Sequence, residues 1–199
     1  MSKFIFLLLL CAFGGISGYA QPGSIPAQQG ITLPVRERYL NFPVRTGAPL
    51  QRMECFVNGK QVREFLIELD ADRPDFWVHL DVGAWKGQAI ELRIAEKNAL
   101  RNLDGLYQSA KPAGAETFYK ESLRPAYHYA PVRGRLNDPN GLVYYAGEWH
   151  MFHQHNPYGW AWNNMTWNHL VSKDLIHWED LGAALHPDSL GTIYSGSAI

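Results

Sequence analysis

Residues 31–96 alternate. Met53, Cys55 and Val57 are interleaved with Arg52, Glu54 and Phe56. Phe65, Ile67 and Leu69 are interleaved with Leu66, Glu68 and Asp70, and Phe76, Val78 and Leu80 with Trp77, His79 and Asp81. Ile90, Leu92 and Ile94 are interleaved with Glu91 and Arg93. A period of two sends successive side chains to opposite faces of a strand, and a helix cannot satisfy it. Asn58-Gly59, between Cys55-Phe56-Val57 and Gln61-Val62-Arg63, is a strong two-residue hairpin signal. Short half-buried strands at this spacing predict a small antiparallel β-sandwich. Cys55 falls on its apolar face, which predicts a buried structural thiol. No cluster in the block carries chemistry of its own. It fits a carbohydrate-binding module and a structural appendage equally.

Ahead of the alternation, residues 1–20 read as a secretory signal. Lys3 supplies the positive start, residues 4–13 the apolar run, and Gly18-Tyr19-Ala20 the small residues a signal peptidase reads. Cleavage after Ala20 predicts a secreted or periplasmic chain beginning at Gln21. The apolar run is too short to remain as a membrane span. Lipidation at Cys11 is disfavoured by the bulk of Leu10. Loss of Cys11 with the signal leaves Cys55 as the mature chain's single cysteine, so stability has to come from packing. Residues 21–30 are a Gln-, Pro- and Gly-rich lead-in. The 199 residues carry a net charge of −1, without the basic excess that nucleic-acid binding requires.

Residues 98–123 lose the alternation, and a domain boundary falls between 110 and 123. Domains are therefore expected at 31–110 and 124–199. In the second, residues 142–145 and 148–153 read as a hairpin around Ala146-Gly147. Residues 165–172 form a third strand and 177–185 a fourth, after a turn at 173–176. Four short up-and-down strands make one blade of a β-propeller. Residues 191–199 resemble the inner strand of a second blade. The fold class expected is all-β: a small N-terminal sandwich, then one blade and the beginning of another.

Asn137-Asp138-Pro139-Asn140-Gly141 puts an acidic residue inside a run of turn formers, directly before the β-prone Leu142-Val143-Tyr144-Tyr145. Pro fixes φ, and Asn and Gly tolerate turn geometry. The expectation is a rigid corner that aims the Asp138 carboxylate. Aromatic residues make up 13% of the chain and concentrate after residue 118; aromatic planes suit both sugar-ring stacking and β-rich cores. Of Trp149, Trp160, Trp162, Trp167 and Trp178, most are expected in the core. His150, His153 and His155 do not converge on a metal, because 153 and 155 share a strand face and 150 lies on the other. Asn164-Met165-Thr166 fits a glycosylation sequon by coincidence of motif.

Arg135-Leu136-Asn137-Asp138-Pro139-Asn140-Gly141 resembles the Trp-Met-Asn-Asp-Pro-Asn-Gly signature of glycoside hydrolase family 32, the β-fructosidases. Phe152-His153-Gln154-His155-Asn156-Pro157 resembles its Phe-Tyr-Gln-Tyr-Asn-Pro segment. Trp162-Asn163-Asn164-Met165-Thr166-Trp167-Asn168-His169 resembles its Trp-Gly-Asn-Met-His-Trp-Gly-His segment. Ser172-Lys173-Asp174-Leu175-Ile176-His177-Trp178 and Tyr194-Ser195-Gly196-Ser197-Ala198 match two further motifs. The sandwich block, with Tyr39-Leu40-Asn41-Phe42-Pro43-Val44, is similar to the domain preceding the catalytic one in levanase-like members.

The resemblance implies a five-bladed propeller that hydrolyses β-fructofuranosyl linkages of fructan or sucrose, with no cofactor and no metal. It implies Asp138 as catalytic nucleophile, and Asn137, Gln154, Trp162 and Ser195 as residues lining the fructose pocket. Arg135 stands where the family has a pocket-floor Trp, Thr166 where it has His, and Asn163 and Asn168 where it has Gly. His153 and His155 replace two tyrosines. These departures bear on substrate preference. The family's Arg-Asp-Pro and Glu-Cys motifs, which carry the transition-state-stabilising Asp and the acid/base Glu, do not occur among the 199 residues. Glu148, Asp174, Glu179, Asp180 and Asp188 are read as surface residues. An inactive truncated part of an enzyme is therefore expected. A non-catalytic fructan-binding module and a non-functional fragment are the alternatives.

Overall fold

The computed structural model describes residues 29–94, 100–188 and 190–198. The signal-peptide reading of residues 1–20, with Cys11, lies outside the described residues. The fold is all-β, built from three antiparallel sheets.

Two sheets enclose the N-terminal core. One holds β1 (Gln29–Pro34), β6 (Ala89–Ile94), β3 (Gln51–Val57) and β4 (Lys60–Ile67), adjacent in that order. The other holds β5 (Phe76–Asp81), β2 (Tyr39–Val44) and β7 (Tyr107–Ser109). The predicted alternation is met residue by residue: Met53, Cys55, Val57, Ile90, Leu92 and Ile94 face inward against Leu40, Phe42, Val78 and Leu80. Each such side chain contributes about 1.5–3 kcal/mol by leaving water. The Asn58-Gly59 turn has both φ values positive, at 51° and 74°, which matches the twist of a two-residue hairpin. Burial pushes the Cys55 thiol up to about 12, so it is an inert packing group.

The strand β7 escapes the periodicity because it is only three residues long. It is secured through Asn41, a buried polar residue on β2. The Asn41 amide donates to Ser109 Oγ at 2.7 Å and Tyr107 O at 3.3 Å, and its oxygen accepts Ala113 N–H at 2.8 Å. That satisfied amide ties the connecting segment to the sandwich.

The third sheet runs β8 (Arg135–Tyr145), β9 (Glu148–Asn156), β10 (Thr166–Ser172) and β11 (Glu179–Leu185), paired up and down in chain order. The central strand β10 is buried on both faces, whereas the edge strand β11 is exposed along its length. Leu142, Tyr144, Tyr145, Leu181 and Leu185 are exposed here.

Three sequence expectations are corrected. The Asn137–Gly141 run is not a corner ahead of a strand: it lies inside β8, as part of a strand with two register shifts. Pro139 has no N–H to give a ladder, and Gly141 takes φ +52°, so the run bulges without breaking. Residues 191–198 form no strand, since their backbone bonds go to separate partners. Ile193 N–H reaches Met165 O, and Gly196 N–H reaches the Asn140 side chain. The tryptophans are not mostly core: Trp167 is buried, while Trp149, Trp160 and Trp162 are exposed and Trp178 is half-buried.

Candidate active site

The bulge in β8 creates the site. Leu136 pairs with His155 and Pro139 with His153, so Asn137 and Asp138 together oppose the single residue Gln154. Two side chains are thereby brought to one cross-strand position. Asn137 Nδ2 donates to Gln154 Oε1 at 3.1 Å and to Asp138 Oδ1 at 3.3 Å. Ser195 Oγ donates to Asp138 Oδ2 at 2.7 Å. Gln154 is buried, and its amide donates to Ile193 O at 3.2 Å, which returns the network to the segment carrying Ser195. Asp138 itself remains exposed. The result is a carboxylate with both oxygens oriented by donors and a face open to a ligand.

Four of the five sequence-predicted residues thus meet in one hydrogen-bonded chain. Trp162 stands further off. Its ring centroid lies 6.4 Å from that of Tyr194, the neighbour of Ser195, and both rings are exposed. Arg135 is exposed, and its guanidinium donates to Trp160 O at 3.4 Å.

Two positioning residues escaped the sequence reading. Asn140 is buried; its Nδ2 donates to Asp138 O at 3.0 Å and its Oδ1 accepts Gly196 N–H at 3.4 Å. It clamps the backbone of Asp138 to the segment that supplies Ser195. Trp167 is the second, with its indole N–H donating to Tyr194 O at 3.0 Å. A buried indole needs an acceptor, and that need was the legible signal. Gly141 packs under this arrangement: a Cβ there would come 2.8 Å from Phe152 Cδ2.

Asp180, Asp174, Glu148 and Asp188 are engaged elsewhere. Asp180 accepts from Tyr129 OH, Asn168 Nδ2 and Gly182 N–H. Asp174 accepts from His177 and the turn backbone, and the His177 side chain holds it well below the usual carboxylate range. Glu148 faces Lys173 at 3.9 Å, and Asp188 accepts Leu190 N–H. A hollow of about 320 Å³, lined by Glu148, Ser172, Asp174, His177, Trp178 and others, includes none of the five site residues.

The histidines occupy both faces of β9, as the alternation implies. His150 Nδ1 and His169 Nε2 share a hydrogen bond of 2.9 Å. His153 Nδ1–H donates to Gln154 O at 3.1 Å, and its buried Nε2 has no partner. Burial drives His153 down to about 4, so the ring is neutral. Among the described residues no group of three or more His, Cys, Asp or Glu is arranged to hold a metal.

The third sheet thus aims one carboxylate through amide and hydroxyl donors, and the Trp162 and Tyr194 rings beside it are exposed. The model of the glycosyl hydrolases family 32 N-terminal domain matches residues 128–199. The levanase of Bacillus subtilis is 55% identical over 87 residues, 44% of this chain and 13% of the levanase. The invertase of Schizosaccharomyces pombe is 43% identical over 100 residues, 48% of this chain and 17% of the invertase. The crystal structure of the Aspergillus awamori exo-inulinase, 42% identical, is matched over 41% of this chain and 17% of that one, with a TM-score of 0.38. The chain thus spans less than a fifth of these relatives.

Proposed function

We propose that Asp138 is the nucleophile of a retaining hydrolase acting on β-D-fructofuranosyl linkages in levan, inulin or sucrose. The observation that carries this reading is the orientation of both Asp138 oxygens, by Ser195 and by Asn137. A carboxylate fixed in this way attacks the anomeric carbon of the fructosyl unit while the bond to the leaving oxygen breaks. The leaving oxygen takes a proton from a second carboxyl group, which retaining enzymes hold roughly 5–5.5 Å from the first. Water, deprotonated by that same group, then displaces Asp138 and releases fructose. Asn137, Gln154 and Ser195 contact the fructosyl hydroxyls, and Trp162 shapes the pocket wall.

On this reading the third sheet is the first blade of a five-bladed propeller, and the residues after Gly191 lead into a second. The exposed Leu142, Tyr144, Leu181 and Leu185 support it, since a lone sheet leaves such residues without the neighbours they pack against. The sandwich at 31–110 and the propeller segment from 124 are its two domains. Secretion fits the names of relatives such as the extracellular exo-inulinase of Aspergillus awamori and the cell wall β-fructofuranosidase of Pisum sativum. Among the described residues no second carboxylate is hydrogen-bonded into the Asp138 network, whose partners are Asn137, Asn140 and Ser195. The 199-residue polypeptide is therefore proposed to be inactive by itself, with Asp138 acting where the acid/base motif is also present. Trapping a fructosyl ester on the peptide containing Asp138, in a chain that has both, tests the assignment; an ester on any other carboxylate defeats it.

A further inference from the structure

Residues 157–164 carry Trp162, and they are held at both ends by asparagines to which the proposed chemistry gives no task. Asn156, the last residue of β9, is buried and uses its whole amide. Its Oδ1 accepts Tyr158 N–H and Asn164 Nδ2 at 3.0 Å each; its Nδ2 donates to Ala161 O at 2.9 Å and Asn163 Oδ1 at 2.6 Å. Asn164 closes the loop on the sandwich. It accepts Leu66 N–H and donates to Leu66 O, both at 2.7 Å. Leu66 belongs to β4, the edge strand of its sheet, so the Asn164 amide satisfies edge groups as another strand would. Asn164 sits at φ +53°, a conformation that Asn tolerates better than other non-glycine residues.

Between these clips, two rings enter or cover the sandwich. Tyr158 is buried in the sandwich core and stacks on Phe65 with centroids 3.9 Å apart. Trp160 lies 5.6 Å from Phe76. The loop that bears Trp162 is therefore built partly out of the sandwich, 98 positions away in sequence at the Leu66–Asn164 contact.

We propose that the β-sandwich positions the Trp162 loop, with Asn156 and Asn164 as positioning residues and Tyr158 as the plug. The sandwich is then a working part of the sugar pocket rather than an appendage. This rests on the reading of Trp162 as a pocket residue, and the two are separable by experiment.

The test is amide exchange and the Trp162 indole resonance in the 199-residue chain. Asn164→Gly keeps the left-handed backbone and removes the amide. The Tyr158 and Asn163 amides are expected to exchange at least about tenfold faster, the low end for the loss of three neutral hydrogen bonds. The Trp162 indole signal should shift or broaden, while the Cys55 and Leu92 amides at the centre of the sandwich stay unchanged. Asn164→Asp keeps the acceptor for Leu66 N–H but sets a carboxylate oxygen against Leu66 O and Asn156 Oδ1, so it should show the same local loss. Tyr158→Phe, which keeps the stacked ring, should behave as the unaltered protein. Unchanged exchange across 157–163, or equal acceleration at Cys55 and Leu92, would overturn the proposal. Titration with a fructo-oligosaccharide, in a chain that also carries the acid/base motif, reads the pocket assignment alone: a silent Trp162 indole there removes the pocket reading and leaves the anchor standing.

Discussion

Ser195 Oγ donates a 2.7 Å hydrogen bond to Asp138 Oδ2 between residues 57 positions apart. Neither residue could hold this geometry unaided. Asp138 is set by a strand bulge and Asn140, and Ser195 by the bonds from Trp167 and Gly141 to its two neighbours. In an enzyme form containing these residues and the acid/base carboxyl, Ser195→Ala should lower kcat/KM by about ten- to a hundredfold, as expected for a hydrogen bond to a charged group. Unaltered kinetics would mean that the contact orients nothing that matters in the reaction.

Asn140→Ala should destabilise the chain by about 1–3 kcal/mol, because it leaves Asp138 O and Gly196 N–H without their partner. Urea unfolding reads this directly. An unchanged midpoint would show that water substitutes for the amide at both positions.

Gly134→Ala should prevent folding of the third sheet. Gly134 has φ +77°, and a Cβ there would lie 1.9 Å from Asn156 O, a backbone atom that cannot swing aside. Far-UV circular dichroism of the variant decides the matter; a native spectrum and melting curve would contradict the packing described.

Much of the sandwich was legible because its strands bury one face, so that Met53 to Val57 and Ile90 to Ile94 reveal their inward sides by period alone. β10 was located with equal ease. The bulged course of β8 was not legible, since Pro139 and Gly141 signal a turn in any local reading. Only the pairing of Pro139 with His153 and of Asn140 with Phe152 draws the run into the strand. Motif resemblance singled out Asp138, Asn137, Gln154, Trp162 and Ser195, and the structure joins all but Trp162 in one hydrogen-bonded chain. Asn140, Asn156 and Asn164 were invisible as clamps, because an amide's task depends on which backbone groups reach it, and those come from distant sequence.

Stability should fall as pH is lowered from about 6.5 toward 4. His79, His153 and His186 are each driven by burial down to about 4 from an ordinary value near 6.5. Between those limits the unfolded chain binds protons that the folded chain refuses, so unfolding is favoured as pH drops. For His153, whose buried Nε2 has no acceptor, the loss is on the order of 1–3 kcal/mol. His153→Asn should lessen the pH dependence of the urea midpoint, with the share from His79 and His186 left in place. A midpoint equal at pH 7 and pH 5 in the unaltered protein would contradict the neutral, buried assignment.

In the proposed function Asp138 is a nucleophile and not only a residue of a bulged strand. Asp138→Asn is nearly isosteric and still accepts from Ser195, but the amide is too weak a nucleophile to form the glycosyl ester. The direct measurement is steady-state fructose release by Asp138→Asn, beside equilibrium binding of a fructo-oligosaccharide, in a catalytically competent chain that contains these residues. Hydrolysis should be lost and binding kept. Hydrolysis near that of the unaltered enzyme would contradict the nucleophile assignment.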